Sequence, residues 1–140
     1  MKIHLKKGEK FFVNGAVIKS DQKCSIELLN NVAFLLETHV MQPDAATTPF
    51  RQLYFVVQTL LMNPETEMMT RELYWHQSDA LHRVVENQSL IEGLRASDEL
   101  VKSQRYFDAL KEIRKQFSQE KSVMLNANEI SMTKQQRKVA

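Results

Sequence analysis

Lys6, Lys7 and Lys10 bracket a Gly8-Glu9 pair and run directly into Phe11 and Phe12. Ammonium groups beside aromatic rings on a sheet are a means of holding single-stranded RNA, with cations on phosphates and rings stacked on bases. Lys2, Lys19 and Lys23 enlarge the basic set. Over residues 1–24 six lysines stand against Glu9 and Asp21, a local net charge of +4 in a chain whose total is +2. A basic head on a near-neutral body suits an anionic partner. The competing reading is a lysine fringe that keeps an edge strand from pairing with other chains, and charge alone favours the fringe. Strand alternation puts Phe11 and Phe12 on opposite faces, so at most one meets a ligand. Large aromatics are also more often core than contact surface. The candidate RNA contacts are Lys2, Lys6, Lys7, Lys10, Phe11, Lys19 and Lys23.

Other chemistry is sparse. His4, His39, His76 and His82 are the only histidines, and neither HExxH nor CxxC spacing occurs. His76 and His82 are six apart, which on a helix separates them around the axis. Cys24 is the single cysteine and lies in a strand pattern, where a lone thiol usually packs as a small hydrophobe. Three glycines cannot build a phosphate-cradling loop, and GxSxG is absent. Carboxylates on the helical segments have the spacing of face-to-face ion pairs. No catalytic residue, metal ligand or cofactor is expected. A second binding candidate lies further along. Met68, Met69, Tyr74 and Trp75 offer the adaptable apolar surface that suits a protein partner, with a helix-packing core as the alternative for most of them.

The elements that would position these residues change character near residue 42. Ile3 and Leu5 alternate with Lys2, His4 and Lys6, the period of a half-buried strand. Asn14-Gly15 between two apolar runs is a strong hairpin signal, because both turn residues must accept positive φ. Turns at Ser20–Lys23 and Asn30-Asn31 bound a strand from Cys24, and Val32–Val40 reads as one more. Thr48-Pro49 then has the grammar of a helix N-cap followed by proline at the first helical position. Phe50, Leu53, Tyr54, Val57, Leu60 and Leu61 repeat at helical spacing. A second helix is expected from about Pro64, with a possible break at Ser78-Asp79. Ser97-Asp98-Glu99 reads as the cap of a last helix, and Gly93 as a weak point. The expected architecture is α+β: a small antiparallel β-meander or barrel followed by about three α-helices. The expected division is 1–41 as a β-rich basic unit, 42–49 as linker, 50–125 as helical unit and 126–140 as a mobile polar tail. About 40 residues of meander cannot bury much core alone, so packing on the helices or on a second copy, a homo-oligomer, is expected.

Bulk properties agree with a folded binding protein. Hydrophobic residues make up 43% of the 140 and charged residues 26%, which supports a packed core and excludes a disordered chain. The N-terminus lacks a signal-peptide layout, and no apolar run approaches the roughly 20 residues of a membrane span. A cytoplasmic protein without membrane contact is expected.

A resemblance sharpens this. The opening stretch from Met1-Lys2-Ile3-His4-Leu5 through Phe11-Phe12-Val13-Asn14-Gly15-Ala16 closely resembles the start of the bacterial flagellum biosynthesis repressor family FlbT. Val40-Met41-Gln42-Pro43, Thr47-Thr48-Pro49, Arg51-Gln52-Leu53-Tyr54-Phe55 and Gln58-Thr59-Leu60-Leu61-Met62-Asn63-Pro64 resemble it as well, and the likeness spans roughly residues 1–125. It implies a non-enzymatic, post-transcriptional regulator of flagellum biogenesis. Such a protein associates with the 5′ untranslated leader of flagellin mRNA and promotes its degradation, although in some relatives it supports flagellin production instead. The family supplies no catalytic residues to carry over. Ile3 through Gly15 is also similar to the first strands of carbon storage regulator proteins, small dimeric β-folds that bind mRNA leaders; that likeness fades after about Ile18. The alternative function is a protein-interaction adaptor or chaperone whose partner is flagellin or a flagellar regulatory protein, with RNA affected indirectly.

Overall fold

A computed structural model of the chain describes residues 1–30, 32 and 34–123. The tail expected over 126–140 lies outside the described residues. Five short strands come first: β1 (Lys2–Leu5), β2 (Lys10–Val13), β3 (Ala16–Lys19), β4 (Cys24–Glu27) and β5 (Phe34–Leu36). All pairings are antiparallel. They form a β1–β4 ribbon and a three-stranded sheet in the order β3–β2–β5. No closed barrel forms among the described residues. Asn14 and Gly15 have φ of 47° and 83°, so β2 and β3 are joined by the two-residue turn their sequence requires.

Two details of the connectivity differ from a simple meander. After β3 the chain does not pair with its predecessor; β4 returns to β1, with Ile3 opposite Ile26 and Leu5 opposite Cys24. The pairing completes the ladder of β1, whose Ile3 and Leu5 are buried against Phe11 and Phe34. The strand expected over Val32–Val40 is confined to Phe34–Leu36, and Glu37–His39 turns into a 3-10 helix. Its end has a local cause. Where the next ladder bond would form, the Glu37 carboxylate accepts the Lys10 backbone N–H at 2.9 Å.

The helices are α1 (Pro49–Met62), α2 (Glu67–Val84), α3 (Gln88–Lys102) and α4 (Tyr106–Lys115), with the chain helical again over 117–123. Thr48 caps α1 as its sequence implies, its hydroxyl oxygen accepting the Arg51 N–H at 3.2 Å. The buried Glu120 carboxylate adds to the cap by accepting the Phe50 N–H at 2.9 Å and the Thr48 hydroxyl. α2 runs unbroken through Ser78-Asp79 and stops at Val85; Asn87 caps α3, accepting the Leu90 N–H at 3.1 Å. Ser97, Asp98 and Glu99 therefore lie inside α3 and cap nothing. Gly93 is no weak point either. It is buried where the Gln116 side chain rests on α3, and a Cβ there would sit 2.2 Å from Gln116 Cδ.

Two cores result. The larger gathers α1, α2, α3 and α4 around Leu53, Val57, Tyr74, Leu94 and Val101. The smaller consists of Ile3, Leu5, Phe11 and Phe34. β2 and β5 separate them. Phe12 and Leu35, paired across the two strands, face the helical core, while Phe11, Val13, Phe34 and Leu36 face the ribbon. Phe34 also stacks on Phe107 of α4, ring centroids 4.9 Å apart, which fixes the ribbon layer to the helices.

Candidate nucleic-acid interface

The topology gathers most of the N-terminal lysines at one end of the sheets. β1 finishes at Leu5 opposite Cys24, where β4 starts, and β2 starts at Lys10 opposite Lys19, where β3 finishes. The loops 6–9 and 20–23 therefore leave from the same end. They are stitched together by Gly8 N–H to Ser20 O at 2.7 Å and Ser20 N–H to Glu9 O at 3.0 Å. Gly8 makes the close approach with φ of +79°, a conformation that side chains with a Cβ rarely adopt. Lys6, Lys7, Lys10, Lys19 and Lys23 all lie on this end and all are exposed. None of the five enters an ion pair among the described residues.

Lys10 and Lys19 are the informative pair. The Lys10 N–H points away from β3, toward Glu37, so the two lysines form a non-hydrogen-bonded pair, the closer of the two kinds. Like charges directly opposite on a ladder are destabilising. Among the described residues these ammonium groups have no carboxylate partner, so this end carries uncompensated positive charge.

The remaining candidates divide sharply. Lys2 does not join the other lysines; it sits at the far end of the ribbon, opposite Glu27. Phe11 is only 3% exposed and belongs to the smaller core, so it presents no ring to a base. The reason is tertiary: both faces of β2 are covered, one by the ribbon and one by the helices. Tyr74 has no exposed surface at all and cannot contact a partner. Trp75 is half-buried, edge-on to Tyr74 with centroids 5.0 Å apart. Met68 and Met69 are 82% and 76% exposed.

Tyr74 instead organises a polar cluster that the sequence reading missed. Its hydroxyl bonds Ser97 Oγ at 2.8 Å and donates to Asp98 Oδ1 at 2.8 Å. Ser78 Oγ donates to the same oxygen at 2.6 Å, and His82 Nε2 lies 2.7 Å from Asp98 Oδ2. Burial, with Asp98 alongside, pushes the Tyr74 hydroxyl far above the ordinary phenol range. Serine and histidine both bond the carboxylate and not one another, so the order needed to activate a nucleophile is missing. The cluster fastens α2 to α3. Its sequence signal is the polar row Tyr74, Ser78, His82 at i, i+4, i+8 on a face that must be buried. A second fastening lies at the start of α2: Arg71 donates to Val101 O at 2.7 Å and to the Tyr106 hydroxyl at 2.9 Å, and that hydroxyl donates to Glu67. Burial raises the Tyr106 hydroxyl as well.

Among the described residues no group of three or more His, Cys, Asp or Glu side chains is placed to hold a metal ion. No helix there is long and apolar enough to cross a membrane.

The sequence matches the family described as "Flagellar protein FlbT" over residues 1–124. It is 48% identical over 124 residues to "Probable flagellum biosynthesis repressor protein FlbT 2" of Bradyrhizobium diazoefficiens, covering 89% of this chain and 91% of that protein. It is 43% identical over 126 residues to the protein named "Probable flagellum biosynthesis repressor protein FlbT" in Agrobacterium fabrum, covering 90% and 85%. The same name belongs to a protein of Chelativorans sp. that is 47% identical over 123 residues, covering 88% and 85%. No solved structure matches the chain.

Proposed function

The chain belongs to the FlbT family of flagellar proteins, and from that premise we propose that it represses flagellum biogenesis after transcription, holding the 5′ leader of flagellin mRNA by its phosphates and promoting the transcript's degradation. The observation that carries the reading is the convergence of Lys6, Lys7, Lys10, Lys19 and Lys23 on one exposed end. The relatives' names supply the repressor role. With Phe11 and Phe12 turned into the two cores, this end offers charge without stacking. It therefore contributes register and affinity, and base discrimination comes from elsewhere in the assembly. Degradation belongs to nucleases that act on the held transcript.

The test is binding of a flagellin leader transcript by the purified protein across a salt series. Contact with five phosphates gives a log–log slope of about −3.5 for a single strand, roughly a hundredfold loss of affinity between about 50 and 200 mM salt. A flat salt dependence overturns the phosphate reading, and cleavage of the leader by the pure protein overturns the non-catalytic one. The second reading, a protein adaptor that works through flagellin or a flagellar regulator, has its own observation in the exposed methionines of α2.

A further inference from the structure

α2 is amphipathic in an unusual sense: it is apolar on the side that faces water as well. Tyr74, Ser78 and Leu81 mark its buried side. At 3.6 residues per turn, Met69, Leu73, His76, Ala80 and Val84 fall within an arc of about 80° whose centre lies roughly 130° around the axis from that side. All five are exposed, with Met69 at 76%, Leu73 at 46% and Val84 at 71%. Their steps of four, three, four and four residues are those of a helix-packing seam. The seam extends along about 22 Å of helix, with Met69 at its start.

One flank of the seam is acidic. Glu72 and Asp79 stand seven residues apart along it, and Glu65 lies one heptad earlier in the turn that leads into α2. None of the three forms an ion pair among the described residues. Gln77, on the other flank, is uncharged. Arg71 is held by Val101 and Tyr106, while Arg83, in the last turn, lies on the same flank as Glu65, Glu72 and Asp79 and leaves that row with a surplus of negative charge.

We propose that the solvent side of α2 is a docking surface for an amphipathic helix of another protein, one whose apolar stripe is flanked by a row of lysines or arginines. Met69 at the head of the seam gives it some of the adaptability of helix-binding grooves, and the acidic row sets the partner's charge as flanking positions do in coiled coils. A second copy of this chain fits less well. An antiparallel two-fold pairing brings each α2 flank against the same flank of its mate, so Glu72 and Asp79 would face one another's copies. The surface lies on α2, separate from the lysine end, and stands whether or not that end holds RNA.

The test uses two helical peptides of about three heptads with leucine at the seam positions, one flanked by lysine and the other by glutamate. Each is titrated into the full chain and followed by anisotropy of a peptide label. The lysine peptide binds, and the glutamate peptide binds at least about tenfold more weakly. Met69→Ser combined with Leu73→Ser, both at exposed positions, abolishes binding while circular dichroism stays unchanged. Glu72→Lys combined with Asp79→Lys reverses the preference between the peptides. Absence of binding by either peptide, equal binding of both, or binding that survives the serine changes overturns the proposal. So does sedimentation that finds the chain paired through this face, in a state that the serine variant loses.

Discussion

The lysine end of the sheets and the α2–α3 contact use polar side chains in opposite ways. At the lysine end, five ammonium groups are exposed, lack carboxylate partners among the described residues and include one like-charged cross-strand pair. Between α2 and α3, Tyr74, Ser78, Ser97 and Asp98 are packed together with every hydroxyl bonded. Exposed charge contributes little to folding and much to binding. A buried network contributes to folding, because each group left without its partner bears the full cost of desolvation. Under the proposed function the two regions do different work, and substitutions in each should separate stability from binding.

The largest effect belongs to Asp98→Ala. It removes the acceptor for Tyr74 and Ser78 and the partner of His82, and costs about 3 kcal/mol of unfolding free energy. Urea denaturation measures this, and RNA affinity of the folded fraction stays unchanged. A cost under about 1 kcal/mol, typical of surface positions, would dissolve the contrast.

Lys6→Ala, Lys7→Ala and Lys10→Ala together test the other side. Loss of three phosphate contacts weakens binding roughly 50-fold at about 0.15 M salt and reduces the salt slope by about 2. The unfolding midpoint moves little, since none of the three ammonium groups has an ion-pair partner among the described residues. Unchanged RNA affinity would return these residues to the role of a solubility fringe.

The same contrast explains what the sequence could tell. Asn14-Gly15, Gly8 and Thr48-Pro49 act through their own backbones, so the hairpin, the loop and the start of α1 were legible locally. The pairing of Lys10 with Lys19 follows from the hairpin register, and the gathering of five lysines follows from two loops leaving one end. The return of β4 to β1 was not legible, because ladder partners 19 to 25 residues apart leave no local mark. Ser97-Asp98-Glu99 misled for the same reason. Its cap grammar is sound, but Ser97 and Asp98 are taken by Tyr74, Ser78 and His82, which lie 16 to 24 residues back. The real cap, Asn87, carries no accompanying glycine or proline. The alternation of Phe11 and Phe12 is local, but that both faces of β2 are covered depends on the layering of two cores.

Tyr74→Phe probes the buried cluster more gently and adds a pH signature. Removing one hydroxyl costs about 1 kcal/mol near neutrality. In the wild type, Tyr74 titrates higher when folded than when unfolded. Its contribution is therefore fully present below the unfolded value near 10 and is lost as pH rises above it. There the unfolded chain has released a proton that the folded chain keeps, so stability falls by up to about 1.4 kcal/mol per pH unit for this one group. The Phe variant has a shallower alkaline limb in denaturant midpoints taken across that range. Parallel limbs in the two proteins would remove Tyr74 as its source. Tyr54 and Tyr106, also raised by burial, leave a residual slope in both.

The smallest effect is the most discriminating. Lys19→Glu replaces a like-charged pair with an attractive one, since position 19 stands directly opposite Lys10. Close cross-strand pairs of opposite charge contribute about 0.2–1 kcal/mol, and like pairs subtract a similar amount. The variant is therefore slightly more stable than the wild type, by about 0.5 kcal/mol once solvent screening is allowed for. RNA binding moves the other way, because one phosphate contact is lost and its neighbour Lys10 is neutralised. A substitution that raises stability while lowering affinity marks a position whose native residue serves something other than the fold. If Lys19→Glu lowers both, the lysine pair is tied into the sheet in a way its exposure and lack of ion pairs do not reveal, and the division of labour between the two regions fails at that point.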